Sequence, residues 1–476
     1  MDTIENFLEP IVKNINTYLS DYVLVFLLVG AGLYFTIRTK FVQVRCFGEG
    51  MKKVFGGIKL FGGKKSGGLS SFQALATAIA AQVGTGNIVG ACGAILTGGP
   101  GAIFWMWVIA FFGMATIYAE AVLAQETRIK DANGETHGGP VYYIKKAYKG
   151  FFGKFLAGFF AVAIILALGF IGGMVQSNSI AQTSGEAFNI QPWIIGLILA
   201  GICAIIFIGG IKRIASVAEK IVPLMAIVYI VLGLIVLCIN YKVIPETFGM
   251  IFKYAFKPNA ILGGGLGAAI MAAVSQGAKR GLFSNEAGMG STPHAHAQAD
   301  VKKPHDQGVV AMIGVFIDTF VVLTMTALVV ISTLYTGDGP LSSGAYKGGS
   351  LIESIGIKDS NALQVAMGEH FGKNAGNILI AICLMFFAFT TIIGWNFFAK
   401  INIQYLFKNN KIATAVFSVI AIGFIFLGAC IDKVNLVWGL ADMFNNLMVI
   451  PNVLALIPLA SIVAKSAKMK KMNSLK

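Results

Sequence analysis

The sequence predicts an all-α polytopic membrane protein of about eleven transmembrane helices, ten of them forming two five-helix sets of opposite orientation. Three observations carry this. Of 476 residues, 56% are hydrophobic and only 12% charged, whereas a soluble domain carries about 25% charged residues. Of the 37 Lys and Arg residues, 27 fall in loops and tails assigned to one face and 8 in those assigned to the other, the bias that marks cytoplasmic and external loops. Two apolar segments, the second and the seventh, are interrupted in their middles by Gly and polar residues, and each opens a set of five.

Taken in order, residues 1–69 read as an external N-terminus, one extra transmembrane helix at about 22–37 and a basic cytoplasmic loop. The acidic start (Asp2, Glu5, Glu9) is unlike the basic beginning of a signal peptide. Residues 70–240 hold the first set, with segments at about 70–98, 101–127, 155–183, 192–210 and 217–240, near the roughly 20 apolar residues a crossing needs. An external connector at 241–260 leads to the second set within 261–464, at about 261–292, 308–335, 374–407, 412–430 and 434–464. Five is odd, so the second set starts from the opposite face. Residues 465–476 form a basic cytoplasmic tail, read as a topology anchor beside anionic membrane lipid. The chain is thus expected to be multi-pass in the cell membrane, with its N-terminus outside and its C-terminus in the cytoplasm.

The formal charge of +15 is distributed as loop charge, which argues for a membrane surface and against nucleic acid. Six scattered cysteines (Cys46, Cys92, Cys203, Cys238, Cys383, Cys430) without CxxC pairs indicate neither a disulfide framework nor a zinc site. Gly265-Leu266-Gly267-Ala268-Ala269 lacks the preceding strand of a nucleotide fingerprint and reads as small-residue packing. His294, His296 and His305 cluster near the end of the seventh segment; a metal site is conceivable there, and solvated loop histidines are the simpler reading. No GxSxG or HExxH arrangement supports an intramembrane hydrolase.

The second segment carries Gln82-Val83-Gly84-Thr85-Gly86-Asn87 at its centre. Each Gly costs about 1 kcal/mol relative to Ala in a helix, and backbone groups freed in hydrocarbon persist only where protein or a water-filled cavity satisfies them. The stretch therefore predicts two half-helices with an unwound joint. Such a joint aims the positive end of one half-helix and bare carbonyls of the other at a single point, which suits an anionic group and a small cation. Gly used only for close packing is the competing reading, and a second interruption at Ser275-Gln276-Gly277-Ala278-Lys279-Arg280-Gly281 weakens it.

Asp318 is the deepest carboxylate, and intramembrane charges default to functional hypotheses. It is expected either to pair with Lys279 or Arg280 or to take part in ion coupling. Glu120 and Glu286 are expected on backbone or solvent partners, and Asp442 is open between the same roles. Thr390 and Thr391 in the ninth segment either bond their own carbonyls one turn back or offer hard oxygens to Na⁺; spacing alone favours the first.

Directly after the interrupted segment stands Gly98-Gly99-Pro100-Gly101-Ala102-Ile103-Phe104-Trp105-Met106-Trp107-Val108-Ile109-Ala110-Phe111-Phe112-Gly113. This stretch resembles the signature of the alanine/glycine:cation (sodium:alanine) symporter family, and the likeness runs over essentially the whole chain. The resemblance implies a five-plus-five inverted repeat of the leucine-transporter type with one added N-terminal helix. It also implies import of alanine or glycine coupled to Na⁺, with no enzymatic reaction, organic cofactor or obligatory protein partner. Gly84-Thr85-Gly86-Asn87 resembles the GxGN joint of that fold. On that register the amides at Gly84, Thr85 and Gly86 meet the substrate carboxylate. Carbonyls of Ala80, Val83 and Phe387 and the hydroxyls of Thr390 and Thr391 meet Na⁺, which reverses the preference drawn from spacing alone. Trp395 faces the pocket and limits the substrate side chain, with Phe170, Ile171 and Met271 as further walls. Ser275, Gln276 and Gly277 are expected to contact the substrate ammonium. Gln82 stands where the fold usually has a small residue; a direct bond from it to substrate would disturb a second sodium site, so one well-formed site is expected. The rival readings are a proton-coupled transporter of the same fold, with Asp318 or Glu120 titrating, and a channel.

Overall fold

A computed structural model describes residues 2–56, 69–130, 136–208, 210–256, 266–342, 356–431 and 434–468. The last eight residues of the basic tail, most of the glycine- and lysine-rich part of the first basic loop, and Gly265 lie outside them.

Helices occupy all eleven predicted segments. Among the described residues, eight are long and apolar enough to cross a membrane: Leu8–Arg38, Gly101–Thr127, Gly150–Phe188, Ser216–Ile239, Pro304–Tyr335, Lys373–Leu406, Lys411–Ala429 and Leu436–Leu456. A ninth crossing is the bent pair Ser71–Gln82 and Gly86–Gly98, whose halves meet at 51°. The remaining two predicted spans are the 17-residue Pro192–Ile208 and the less apolar, 20-residue Leu266–Asn285.

The first half-helix starts where sequence says it should. Ser70 accepts a hydrogen bond from the Gln73 amide at 3.0 Å, and the Gln73 side chain accepts one from the Ser70 amide at 3.0 Å, a reciprocal cap that satisfies two end donors. Behind it, Pro304–Val315 packs on Gly101–Thr127, and Gly173–Phe188 packs on Lys373–Leu406. Three stretches of wider turn, Gly86–Gly90, Ile165–Gly172 and Phe316–Leu323, interrupt these helices, and such turns occur often at functional sites.

The seventh segment is broken at a different place from the one expected. Leu266–Asn285 is continuous through Ser275–Gly281. Ala278, Lys279 and Arg280 are strong helix formers, and Gly277 lies on the packed face, where an added Cβ would stand 2.7 Å from Trp105. The helix ends instead at Asn285, and the chain runs unwound to Thr292 before the short helix Pro293–Ala297. Glu286 there has φ +56°, Gly288 +91° and Gly290 +82°, left-handed values that glycine adopts freely and that are uncommon for a residue such as Glu286.

The alternation of faces is visible in contacts between distant loops. Arg45 Nη2 donates to Ala467 O at 3.1 Å and Gln298 Nε2 to Thr136 O at 2.8 Å, joining segments assigned to the basic face. At the other face Trp105 Nε1 donates to Ala255 O at 3.1 Å and Asn178 Nδ2 to Ile431 O at 2.7 Å.

Candidate substrate and cation site

The last carbonyls of a helix have no partner inside it, and at Gln82 the chain uses this. Val83 leaves the helix at φ −79°, ψ 91°. The Gly84 amide, which would otherwise bond Ala80 O, donates to Asn87 Oδ1 at 3.0 Å. Ala80 O instead faces Thr391 Oγ1 at 3.0 Å, with Val83 O at 3.3 Å and Phe387 O at 3.1 Å from the same hydroxyl. A hydroxyl donates one proton, so three carbonyls around it keep lone pairs directed at one point. Thr390 Oγ1 donates to Phe387 O at 2.9 Å, one turn back. Gly84 is required for this approach, since a Cβ on it would come within 2.4 Å of Thr391 Oγ1.

Beyond the joint, Asn87 Nδ2 donates to Asp318 Oδ1 at 2.7 Å. Ser284 Oγ, at the end of the other interrupted helix, donates to Asp318 Oδ2 at 2.8 Å, and Thr319 Oγ1 does so at 2.9 Å. Asp318 thus ties the two broken helices together in place of the expected pairing with Lys279 or Arg280. Arg280 is 3.4 Å from Asp442. Gln82 makes a second tie, donating to Asn285 O at 2.7 Å.

The second break is latched by Glu120, which is fully buried. Its carboxylate accepts from the Gly288 and Gly290 amides at 3.1 and 3.0 Å and from Asn452 Nδ2 at 2.6 Å. Glu286 accepts short hydrogen bonds from Trp395 Nε1 and Ser291 Oγ. Trp395 is 1% exposed and meets Phe283 edge to face at 5.4 Å. Phe283 contacts Trp438 at 4.8 Å, and Arg280 lies over Trp438 at 4.4 Å. Arg280 and Trp438 of this stack also line a charged vestibule of about 470 Å³, with Lys13, Gln276, Lys279, Asp359 and Asp442 among its other walls. Burial holds the Asp359 carboxyl above its ordinary range, opposed by the nearby Arg280 charge.

The sequence-predicted residues therefore separate into two groups. Ala80, Val83, Gly84, Phe387, Thr390 and Thr391 come together, as do Gln82, Thr85, Asn87 and Trp395 around the two breaks. Gly86 packs against Ser284, whose Cα would stand 3.0 Å from an added Cβ. Gln276 lines the vestibule, and Gly277 packs on Trp105; Ser275, on the unbroken stretch beside them, is buried in the helix well before the break. Met271 is 43% exposed in an outward apolar groove with Tyr22 and Phe26. Phe170 stacks on Phe424 at 4.9 Å; its neighbour Gly172, not Phe170, abuts Trp395. The displacements in the seventh segment share one cause, the later position of the second break, while Phe170 lies in the wider turn Ile165–Gly172, whose last residue is the one that meets Trp395.

Sequence reading missed Gln176, Ser284 and Asn285. Gln176 Oε1 accepts from the Thr85 amide at 3.1 Å, so the Thr85 amide, like that of Gly84, is held by a side chain. Thr85 Oγ1, Gln176 Nε2 and Gln82 Oε1 are buried with no hydrogen-bond partner, and such groups cost free energy unless a ligand meets them. The signal was present as Gln176-Ser177-Asn178-Ser179, four consecutive polar residues inside an apolar span. The histidines are buried, not solvated, and do not converge on a common metal: His294 lies 2.9 Å from Asn402 Nδ2, His296 2.9 Å from Gln307 and His305 2.7 Å from Tyr118.

Comparison with known proteins agrees with this architecture. The structure matches MhsT, crystallised with L-phenylalanine, with a TM-score of 0.57 and 14% identity over 86% of this chain and 97% of that one, which establishes the leucine-transporter fold. The sodium/alanine symporter AgcS of Methanococcus maripaludis is 40% identical over 96% of both chains. A Bacillus subtilis protein named "Probable sodium/glutamine symporter GlnT" is 39% identical over 98% of this chain and 91% of its own. Residues 5–474 match the sodium:alanine symporter family profile. The chain is therefore a multi-pass membrane transporter, not an enzyme, and it belongs to the sodium:alanine symporter family.

Proposed function

We propose that this protein imports alanine and glycine together with Na⁺ by alternating access. The observation that carries the reading is the convergence of the Ala80, Val83 and Phe387 carbonyls on Thr391 Oγ1 beside the unwound joint. Hard oxygen donors of this kind suit Na⁺, and unwound carbonyls hold coupling ions in transporters. The substrate sits between the two breaks, where Thr85 Oγ1, Gln176 Nε2 and Gln82 Oε1 lack protein partners. The Trp395 indole, fixed on Glu286, closes the space and favours a small side chain. The repeats rock around this point, with boundaries near 70–240 and 261–464, while the Arg280–Trp438–Phe283 stack closes the vestibule side. A zwitterion carries no net charge, so each Na⁺ makes the cycle electrogenic. At about 2.3 kcal/mol per charge per 100 mV, the potential supports accumulation on the order of 50-fold.

A proton-coupled cycle is the second reading, favoured by the burial of Asp318 at the meeting point of both broken helices. Labelled alanine uptake into proteoliposomes under inward gradients of Na⁺, K⁺, Li⁺ or H⁺ separates the two. Concentrative uptake with Na⁺ is expected. Uptake driven by H⁺ without Na⁺, abolished by Asp318→Asn, would replace sodium coupling.

A further inference from the structure

Cys46, Glu49 and His305 lie outside the transport site, and each presents one donor atom, all within 4.8 Å of one another. We propose that they form a binding site for a divalent cation of the zinc class on the face that carries the basic loops. Their chemistry is specific. A thiolate, an imidazole and a carboxylate are the ligand types zinc takes, and three protein ligands leave a fourth position open. The sulfur selects against Mg²⁺ and Ca²⁺, which take oxygen donors.

The geometry agrees with that chemistry. His305 Nε2 is 3.5 Å from Glu49 Oε1. Nitrogen and oxygen ligands each about 2.0–2.1 Å from a tetrahedral zinc stand roughly 3.3 Å apart, so this pair is already near ligand spacing. His305 is 5% exposed, and its Nε2 faces the Glu49 carboxylate. Its other nitrogen, Nδ1, is 2.7 Å from Tyr118 OH, an outer contact of the kind that orients a ligating imidazole. Cys46, the residue that precedes the helix Phe47–Phe55, and Glu49 in its first turn bring their donor atoms within 4.8 Å of each other. Cys46 is fully buried, while the Glu49 side chain is 23% exposed and gives access from solvent. Asp306, next in sequence to His305, is engaged with Lys53 at 3.0 Å and stays out of the donor set.

The sequence concealed this cluster because its ligands come from segments more than 250 residues apart. A bound ion would pin Phe47–Phe55 to the helix Pro304–Val315, on which it packs through Gly50 against Ile313, with Phe47 against Phe316 in the wider turn that follows. The same helix carries Gly314 against Gln82 and leads into Asp318. In the proposed alternating-access cycle, an ion that locks this helix to Phe47–Phe55 slows turnover.

The test uses full-length, tag-free protein stripped with chelator in detergent. Co²⁺ serves as the spectroscopic probe and Zn²⁺ as competitor. Wild type is expected to take up one equivalent of Co²⁺ with a thiolate-to-cobalt charge-transfer band that Zn²⁺ removes. Cys46→Ser and Cys46→Ala should abolish the band, and Cys430→Ser should leave it unchanged. Glu49→Gln and His305→Gln should weaken binding at least 10-fold, and Tyr118→Phe about 10-fold. Absence of the band in wild type, or its persistence in both Cys46 variants, overturns the site. In proteoliposomes, micromolar Zn²⁺ should slow uptake by wild type and spare Cys46→Ser; equal inhibition of both overturns the regulatory role. The Co²⁺ titration needs no transport, so it fails or succeeds independently of the proposed substrate and coupling ion.

Discussion

At Thr391 one hydroxyl faces three carbonyl oxygens, and its proton can satisfy only one of them. The arrangement is costly as it stands, and the proposed Na⁺ would relieve it by taking the hydroxyl oxygen and the carbonyls as ligands together. Removing that oxygen by Thr391→Ala should cost about 1.5–3 kcal/mol of ion binding, the range for hydrogen-bond-sized contacts to a charge. That corresponds to a roughly 10- to 150-fold rise in the Na⁺ concentration needed for half-maximal alanine uptake, while Thr391→Ser should stay near wild type. Thr390→Ala should do less, since its hydroxyl is turned back to Phe387 O. An unchanged sodium dependence in Thr391→Ala would remove the assigned ion site. In the proposed site Trp395 acts on the other ligand. Its indole fills the space between Gly172 and Phe283, so Trp395→Ala should raise uptake of larger neutral amino acids relative to alanine. Competition assays that show the same ranking as wild type would place the substrate elsewhere.

At the level of elements, an unwound stretch survives inside a membrane only where its backbone groups find partners. The first break keeps its shape because Asn87 and Gln176 take the amides of Gly84 and Thr85. The second does so because Glu120 takes those of Gly288 and Gly290. Glu120→Gln places an NH₂ where one carboxylate oxygen accepted, leaving at least one buried N–H opposed or unpaired. It should lower stability by roughly 1–3 kcal/mol, read as a fall in melting temperature in detergent, with a larger fall for Glu120→Ala. A melting curve that does not move would show that the break holds itself. The first break was legible in sequence because its glycines, Gly84 and Gly86, interrupt an apolar run on both sides. The second was misplaced because Gly277 and Gly281 look like breakers in isolation, whereas the decisive cluster is Asn285, Gly288, Gly290 and Pro293. Glycines that pack a helix and glycines that end one differ in their neighbours, and only the second cluster brings a proline and a residue able to cap. Asp318's partners were not legible at all, because Asn87 and Ser284 reach it only through the fold.

For the whole molecule, the pattern of basic loops specified which ends of the helices lie together, and contacts such as Arg45 to Ala467 and Asn178 to Ile431 join the ends accordingly. Which of the two faces meets the cytoplasm is a separate matter, set by the excess of Lys and Arg in short loops. On that excess, Cys430, exposed at the end of Lys411–Ala429, is expected outside and the tail 465–476 inside. Four of the six cysteines are buried, so a membrane-impermeant maleimide has few native targets. In a Cys238→Ser background, intact cells should be labelled at Cys430, and the label should vanish in Cys430→Ser. When Ser474→Cys is added to the variant lacking both exposed cysteines, labelling should require permeabilised cells. The reverse result, with the tail reactive in intact cells and Cys430 protected, would invert the molecule. The vestibule lined by Arg280 and Asp442 would then open to the cytoplasm, and the Cys46, Glu49 and His305 cluster would face external metal. Orientation therefore decides which compartment's ions reach each of the two cation sites.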